Sequence, residues 1–241
     1  SIAGRVHVSV DGDCEVDETE PAIAGVLIEL LDADGNVVDS MRTNANGEYA
    51  FTNLRPGVYS VREEQPADYF EVGSHIGTGG GSRLNQNLTA DITVGSDQHW
   101  IHYDFCESPP ASLSGYVYID GAPIFSTTDI TPSDVPNYRD GQRTGDDTPL
   151  EGILVELRNG ISGDPIFGEQ ALPGYYPEGP IVTRTNALGY YQFLGLPGGN
   201  YAVVEHQPED LIDGLDIPGS LGGFAVNVPI PANGQVFQQE D

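Results

Sequence analysis

The chain has 241 residues, a length that suits two domains of about 100 to 130 residues, each with its own core. Its formal charge of −28 repels nucleic acid and anionic lipid and attracts cations, although solubility in a salty extracellular medium explains the charge equally well. All nine basic residues are arginine, which excludes Schiff-base lysines, P-loop nucleotide sites and lysine-derived isopeptide crosslinks.

Short strands joined by turns are the predicted elements. Glycine and proline exceed a fifth of the chain, and long helical periodicity is absent. Apolar residues alternate with period two in residues 5–10 and 26–30, and the turns Asp34-Gly35 and Asn46-Gly47 follow. Residues 100–105 are the predicted closing strand of the first domain. About seven such strands per domain predict an all-β fold of two-sheet sandwiches.

The sequence repeats itself once. Gly25-Val-Leu-Ile-Glu-Leu30 matches Gly152-Ile-Leu-Val-Glu-Leu157, and Thr43-Asn-Ala-Asn-Gly47-Glu-Tyr-Ala-Phe51 matches Thr185-Asn-Ala-Leu-Gly189-Tyr-Tyr-Gln-Phe193. We therefore predict two tandem domains, residues 1–108 and 109–241, joined at the stiff segment Ser108-Pro-Pro110. The offset between matching motifs grows along the chain, which places loop insertions of the second domain at about 121–137 and 158–182. These loops serve recognition or are neutral elaborations.

An acidic loop separates the first two predicted strands. Oxygen-bearing side chains stand at alternate positions and a glutamate closes the twelfth, the spacing of calcium loops of the EF-hand type. The candidate ligands are Ser9, Asp11, Asp13, Asp17 and Glu20, with the backbone carbonyl of Glu15. Without a cation these carboxylates repel one another. The loop departs from the pattern at Ser9 in the first place and at Cys14 in the sixth, where glycine is usual, and a solvated acidic turn is the alternative.

The second domain carries a modified copy of this loop. Its candidate ligands are Asp120 in the first place, Asp140 in the fifth, Gln142 in the seventh, Thr144 in the ninth and Asp147 in the twelfth. The first insertion interrupts the loop after Asp120. It contains Asp129 and Asp134, which could serve as substitute ligands. Asp147 is one methylene shorter than glutamate, so we expect any second site to be weaker or remodelled.

Other groups of residues give weaker evidence of a functional site. His99 and His102 are three apart on a predicted strand and point to opposite faces, which argues against joint metal binding. The glycine-rich residues 77–81 lack a following helix and indicate a flexible loop rather than a phosphate cradle. Several aromatic residues are either core or a platform for stacking sugars: Trp100, Tyr103, Tyr175, Tyr176 and Tyr190. No nucleophile has a recognisable base, so we predict no enzymatic activity.

Several motifs together resemble the B-type repeat domains of bacterial surface adhesins, in the serine-aspartate repeat protein (SdrD B-like) and collagen-adhesin (Cna) B-type families. They are the acidic loop ending Glu20-Pro-Ala-Ile-Ala-Gly25, the repeated Thr43 to Phe51 motif, Leu54-Arg-Pro-Gly57-Val-Tyr59, and the junction Tyr103-Asp-Phe105-Cys-Glu107. The resemblance implies immunoglobulin-like or prealbumin-like sandwiches, calcium ions that rigidify the array, and neighbouring repeats of a longer chain as partners. It also implies a secreted or cell-surface location.

The two cysteines, Cys14 and Cys106, stand where members of this family commonly have glycine. Two coordinated departures favour a disulfide between the first and last strands of an immunoglobulin-like domain, and two free thiols are the alternative. Because the chain begins almost on its first predicted strand, we expect it to be part of a longer secreted protein.

The function predicted from the sequence is a non-catalytic, calcium-stabilised structural or adhesive module. An extracellular protein or glycan is the further partner considered, and nucleic acid binding and membrane insertion of this segment are not expected. The alternative is a carbohydrate- or peptide-binding accessory module of a large secreted protein.

Overall fold

A computed structural model describes residues 1–17, 19–121, 141–209, 211, 215–220, 222–224 and 239–240. The chain divides into two compact units, Ser1–Pro110 and Ala111–Asp241, which we call unit 1 and unit 2. Strands dominate both units, so the all-β prediction is confirmed. Within the described ranges, no helix has the length and apolar character needed to cross a membrane.

Unit 1 is built from two sheets that pack face to face. Its described strands are β1 (Ile2–Val8), β2 (Leu27–Leu31), β3 (Val37–Arg42), β4 (Glu48–Phe51), β5 (Gly57–Glu63), β6 (Phe70–Ser74), β7 (Ser82–Asn85), β8 (Leu88–Val94) and β9 (Phe105–Ser108). One sheet has the order β4-β1-β9-β6 and the other β3-β2-β5-β8-β7. Strands β1 and β9 run parallel, whereas the other neighbouring strands are antiparallel.

Period-two alternation sends one side-chain face of each sheet of unit 1 into a shared core. In β1, Val6 is fully buried, and in β2 Ile28 and Leu30 are buried, while the intervening Glu29 is half-buried. Phe51, Val61 and the remaining buried side chains of both sheets complete one cluster. This core fixes the ends of β1 and β9, the two strands to which the acidic loop is attached.

The repeated asparagine and glycine residues build equivalent turns in the two units. Asn44 Oδ1 accepts the Asn46 and Glu48 N–H groups at 2.8 and 3.0 Å. Gly47 has φ +73°, and a Cβ there would lie 2.3 Å from the Val6 carbonyl oxygen. In unit 2, Gly189 has φ +71°, and its Cβ would lie 2.3 Å from the Val117 carbonyl oxygen. Backbone conformation and close approach therefore both require glycine at these turns.

The predicted closing strand of unit 1 was misplaced. The strand is Phe105–Ser108 rather than residues 100–105, and Trp100 makes one isolated bridge with Ile2. His102 has φ +64°, a left-handed conformation that interrupts an extended backbone. His99 and His102 therefore do not share a strand, and the argument that placed their side chains on opposite faces was wrong.

The described strands of unit 2 form three sheets. They are β10 (Ala111–Tyr116), β11 (Tyr118–Ile119), β12 (Thr148–Pro149), β13 (Leu154–Asn159), β14 (Val182–Arg184), β15 (Tyr190–Leu196), β16 (Tyr201–Glu205), β17 (Gly223–Phe224) and β18 (Gln239–Glu240). The sheets are β10-β15, β11-β12 and β14-β13-β16-β18-β17. A 3-10 turn, Gly168–Gln170, is the helical structure of the described residues.

The second insertion packs onto the core of unit 2. Its Ile166, Leu172 and Ile181 are buried, and Ile166 and Ile181 belong to the same cluster as Leu157 and Phe193. The Leu157 N–H donates to the Ile181 carbonyl at 3.0 Å, and the Ile166 N–H donates to the Leu157 carbonyl at 3.1 Å. The insertion thus enlarges the hydrophobic core of unit 2. The first insertion, apart from Gly121, lies outside the described residues.

Candidate metal-binding loops

The acidic loop of unit 1 leaves β1 and is tied to the strands at both of its ends. The Val8 N–H donates to the Pro21 carbonyl at 2.8 Å, and the Ser9 N–H donates to the Glu107 carbonyl at 2.9 Å. Ser9 itself is buried, and its hydroxyl accepts the Gly12 N–H at 3.1 Å. The loop is therefore anchored to β9 as well as to the strand that precedes it.

The side chain of Glu20, the predicted twelfth-place ligand, points into the loop and accepts hydrogen bonds from its backbone. The side chain is buried, with Oε1 accepting the Val10 N–H at 2.9 Å and Oε2 accepting the Asp17 N–H at 3.2 Å. His7 Nε2 lies 3.3 Å from Glu20 Oε2. Burial lowers the pKa of His7, and the nearby carboxylates only partly oppose this, so His7 is neutral at neutral pH. We call this arrangement, one carboxylate bonded to the second- and ninth-place N–H groups, the clasp.

Unit 2 has the same clasp. Asp147 Oδ1 accepts the Gly121 N–H at 2.7 Å, and Asp147 Oδ2 accepts the Thr144 N–H. Gly121 and Thr144 hold the second and ninth places of the unit 2 loop, just as Val10 and Asp17 do in unit 1. The shorter aspartate thus reaches both N–H groups across the inserted segment. Sequence spacing had indicated the twelfth-place carboxylates as cation ligands and gave no signal for their bonds to the backbone.

Four other acidic side chains of the unit 1 loop point outward. Asp11, Asp13, Glu15 and Asp17 are exposed. Asp11 Oδ1 accepts the Asp13 N–H at 3.2 Å and Asp13 Oδ1 accepts the Glu15 N–H at 2.8 Å, which are local turn contacts. Among the described residues, no three His, Cys, Asp or Glu side chains are grouped closely enough to hold a metal ion. The predicted ligands are thus near one another in sequence but do not converge.

The unit 2 loop is described in part. Asp120 Oδ2 accepts the Gly141 N–H at 2.8 Å, so this first-place carboxylate also bonds the backbone. Gln142, which was predicted to offer its carbonyl, has an exposed side chain. Asp129, Asp134 and Asp140 lie outside the described residues. The donor set of both loops consists of carboxylate, hydroxyl and carbonyl oxygens, which is the chemistry that calcium prefers.

Cys14 takes the backbone conformation that the pattern reserves for glycine. Its φ is +60°, and the side chain is buried. Cys14 forms a disulfide with Cys106 of β9, and the two Cα atoms are 5.4 Å apart. The acidic loop is therefore attached to β9 covalently as well as through the Ser9 N–H.

Two buried glutamates next to this attachment were not predicted as a site. Glu63 of β5 and Glu107 of β9 belong to different sheets, and they are 3% and 0% exposed. Burial and the neighbouring Glu107 raise the pKa of Glu63 to about 10, and burial raises the pKa of Glu107 to about 7. Period-two spacing could have revealed Glu63, because it follows the buried Val61 on the same face of β5.

The aromatic residues of unit 1 serve packing rather than an open platform. Tyr103 is buried and its hydroxyl donates to the Gly80 carbonyl at 2.8 Å. Trp100 Nε1 donates to the Thr93 carbonyl at 2.9 Å. A Cβ at Gly79 would lie 2.5 Å from the Trp100 ring, so the glycine-rich segment lies directly against that ring. In unit 2, Tyr175 is half exposed, and its ring lies over Gly195.

Comparisons with known proteins identify relatives of the sequence. Serine-aspartate repeat-containing protein C of Staphylococcus aureus strain Newman is 26% identical over 213 residues, which are 88% of this chain and 19% of that protein. The protein of the same name from strain N315 matches with the same identity and coverage. The chain therefore spans about a fifth of the length of the curated relatives it matches.

Solved structures that align with this chain include two pilins. A streptococcal ancillary pilin aligns with 86% of this chain and 53% of its own, at 17% identity and a TM-score of 0.37. The minor pilin of Streptococcus agalactiae aligns with 87% of this chain and 84% of its own, at 15% identity and a TM-score of 0.33.

Residues 1–105 match the model of the SdrD B-like domain. The resemblance inferred from the motifs is thereby confirmed over residues 1–105, which are similar to the SdrD B-like domain.

Proposed function

We propose that the chain is a non-catalytic structural and adhesive module of a bacterial cell-surface protein, and that calcium stabilises its acidic loops. The module joins neighbouring repeats of a longer chain. The serine-aspartate repeat-containing relatives support the repeat setting.

The observation that carries the calcium proposal is the anchored acidic loop of unit 1. Four exposed carboxylates, those of Asp11, Asp13, Glu15 and Asp17, fall within seven residues of backbone. The clasp holds the two ends of this segment and the disulfide holds its middle at Cys14, so its charges cannot separate freely. A divalent cation would offset their mutual repulsion. Asp11, Asp13 and Asp17, with the Glu15 carbonyl, are the groups that would hold it.

Glu20 has a double role in this proposal. In the clasp both of its oxygens already accept backbone N–H groups, but a carboxylate oxygen has more than one lone pair. Glu20 can therefore complete the calcium site while the clasp persists, or leave the clasp to do so. In both cases calcium binds the folded loop and stabilises the folded state.

Calcium titration of the chelator-treated chain tests this proposal. We expect heat of binding by calorimetry and a melting temperature of unit 1 that rises with calcium and falls again with chelator. Asp13→Asn should remove most of the rise. Asp68→Asn, which makes the same charge change at an exposed residue outside the loop, is the matched control and should respond as the native chain does. Absence of both heat and stabilisation at millimolar calcium would contradict the proposal.

A further inference from the structure

The first and last strands of unit 1 lie side by side and parallel. Val6 pairs with Phe105, and Val8 pairs with Glu107. The chain enters at the start of β1 and leaves at the end of β9. Tension applied at Ser1 and Pro110 therefore pulls the two strands past each other along their length. The ladder hydrogen bonds between them lie across this direction and are loaded together rather than one at a time.

The disulfide spans this same pair of strands. Cys106 lies in β9, and Cys14 follows β1 after five residues of loop. A continuous covalent path thus runs from Ser1 to Cys14, across the two sulfur atoms to Cys106, and on to Pro110. The cysteines are 92 positions apart in sequence, and strands β2 to β8 all lie between them.

We propose that the Cys14–Cys106 disulfide carries the force applied to the ends of unit 1. Residues 15–105 are then bypassed and are not stretched. Pulling on the ends of the unit can separate β1 from β9, but it cannot extend the segment that holds most of the core. This inference rests on the proposed function only in assuming that the module works in a chain under tension. The bypass itself follows from connectivity and does not require calcium.

The size of the effect follows from chain length. Fully extended chain spans about 3.5 Å per residue, so releasing the 92 steps between the cysteines would lengthen the molecule by roughly 320 Å. The short segments of unit 1 outside the bridge allow only about 60 Å at the same spacing. Unit 2 contains neither of the two cysteines of the chain, so its unfolding is an internal reference in the same molecule.

Force spectroscopy on single molecules of the full chain, held by its two ends in chelator, tests the bypass. We expect the oxidised chain to give one long unfolding step, from unit 2, and at most a short extension from unit 1. Cys14→Ser/Cys106→Ser should add roughly 320 Å to the extension of unit 1, so that unit 1 also gives a long step. Two long steps from a chain with no titratable thiols would overturn the proposal.

A second measurement covers the case in which the double serine variant does not fold. The oxidised native chain is held at constant force, and dithiothreitol is then added. The reductant is oxidised to its cyclic disulfide as Cys14 and Cys106 become thiols, and the trapped length should be released in one step. No added length after complete reduction would refute the bypass. Repeating the pull with calcium separates this result from the calcium proposal, because the trapped length should be unchanged.

Discussion

The side chains of Glu63 and Glu107 face each other across the two sheets of unit 1, where a proton on one carboxyl group lets it bond the other. As two carboxylates, both oxygens of Glu63 and Oε1 of Glu107 would be buried without a donor. One proton on Glu63 resolves this, because the acid can then donate to Glu107, whose Oε2 also accepts from Gln65 Nε2 at 2.5 Å. The pair thus joins β5 to β9 only while it holds a proton.

This pair predicts that unit 1 loses stability as pH rises. The pKa of Glu63 is raised from 4.5 to about 10, so the folded state binds the proton more tightly than the unfolded state. The stabilisation is therefore complete below pH 4.5 and is lost progressively as pH rises towards the raised pKa of about 10. Denaturant unfolding in chelator from pH 6 to 10 measures this slope.

Glu63→Gln provides the control for the pH prediction. The amide donates a hydrogen bond to Glu107 without titrating, so the variant should show a much flatter slope between pH 7 and 10. Glu71→Gln changes a more exposed carboxylate that also faces the pair and should leave most of the slope in place. An unchanged slope in Glu63→Gln would show that another group is responsible.

The contrast between predicted and observed features has physical causes. Period-two patterning and the Asn46-Gly47 turn are local signals, and they predicted the all-β fold. The closing strand was misplaced because the left-handed backbone at His102 is not visible in side-chain polarity. The clasp was missed because a carboxylate twelve places along a loop has the same sequence signature whether it bonds a cation or backbone N–H groups. Only the fold shows that Glu20 turns inward.

The clasp predicts a stability loss that does not depend on calcium. Glu20→Ala leaves the Val10 and Asp17 N–H groups without their acceptor, and we expect unit 1 to lose about 2 kcal/mol in chelator. Glu15→Ala removes an exposed acid from the same loop and should change the free energy of unfolding by less than about 0.5 kcal/mol. Equal stability of the two variants in chelator would argue against the clasp.

The turn at Gly47 predicts an unusually costly alanine substitution. A Cβ would meet the Val6 carbonyl oxygen at 2.3 Å, in addition to the strain of φ +73°. We expect Gly47→Ala to destabilise unit 1 by about 3 kcal/mol or more in thermal or denaturant unfolding. Gly35→Ala is the matched control, because Gly35 has φ +84° but open space around its Cβ, and it should cost only about 1 kcal/mol.

Removing the disulfide should also lower the free energy of unfolding of unit 1 when no force is applied. Closing a loop of 92 positions contributes about 4 to 5 kcal/mol in the chain-entropy model, so Cys14→Ser/Cys106→Ser should lower the free energy of unfolding of unit 1 by a similar amount. Thiol titration of the denatured, unreduced native chain should find no free thiol. Two thiols per chain would show that the bond does not form in the isolated protein.

The last prediction compares the two acidic loops as calcium sites. The unit 1 set has carboxylates at Asp11, Asp13, Asp17 and Glu20, whereas unit 2 has Thr144 in the ninth place and an insertion within the loop. Fewer ligand charges weaken calcium affinity, so unit 2 should bind calcium more weakly. In calorimetric titrations of the full chain, Asp13→Asn should retain only the weaker site, and Asp147→Asn should retain the tighter one.

Unfolding in chelator is needed to interpret the second variant, because Asp147 also forms the unit 2 clasp. Asp147→Asn should lower the stability of unit 2 without calcium, and it should leave the calcium response of unit 1 intact. Asp164→Asn, at an exposed acid of unit 2 outside this loop, controls for the change in charge. If Asp13→Asn and Asp147→Asn retain sites of equal affinity, the ninth-place threonine and the insertion do not weaken binding, and the charge-count argument fails.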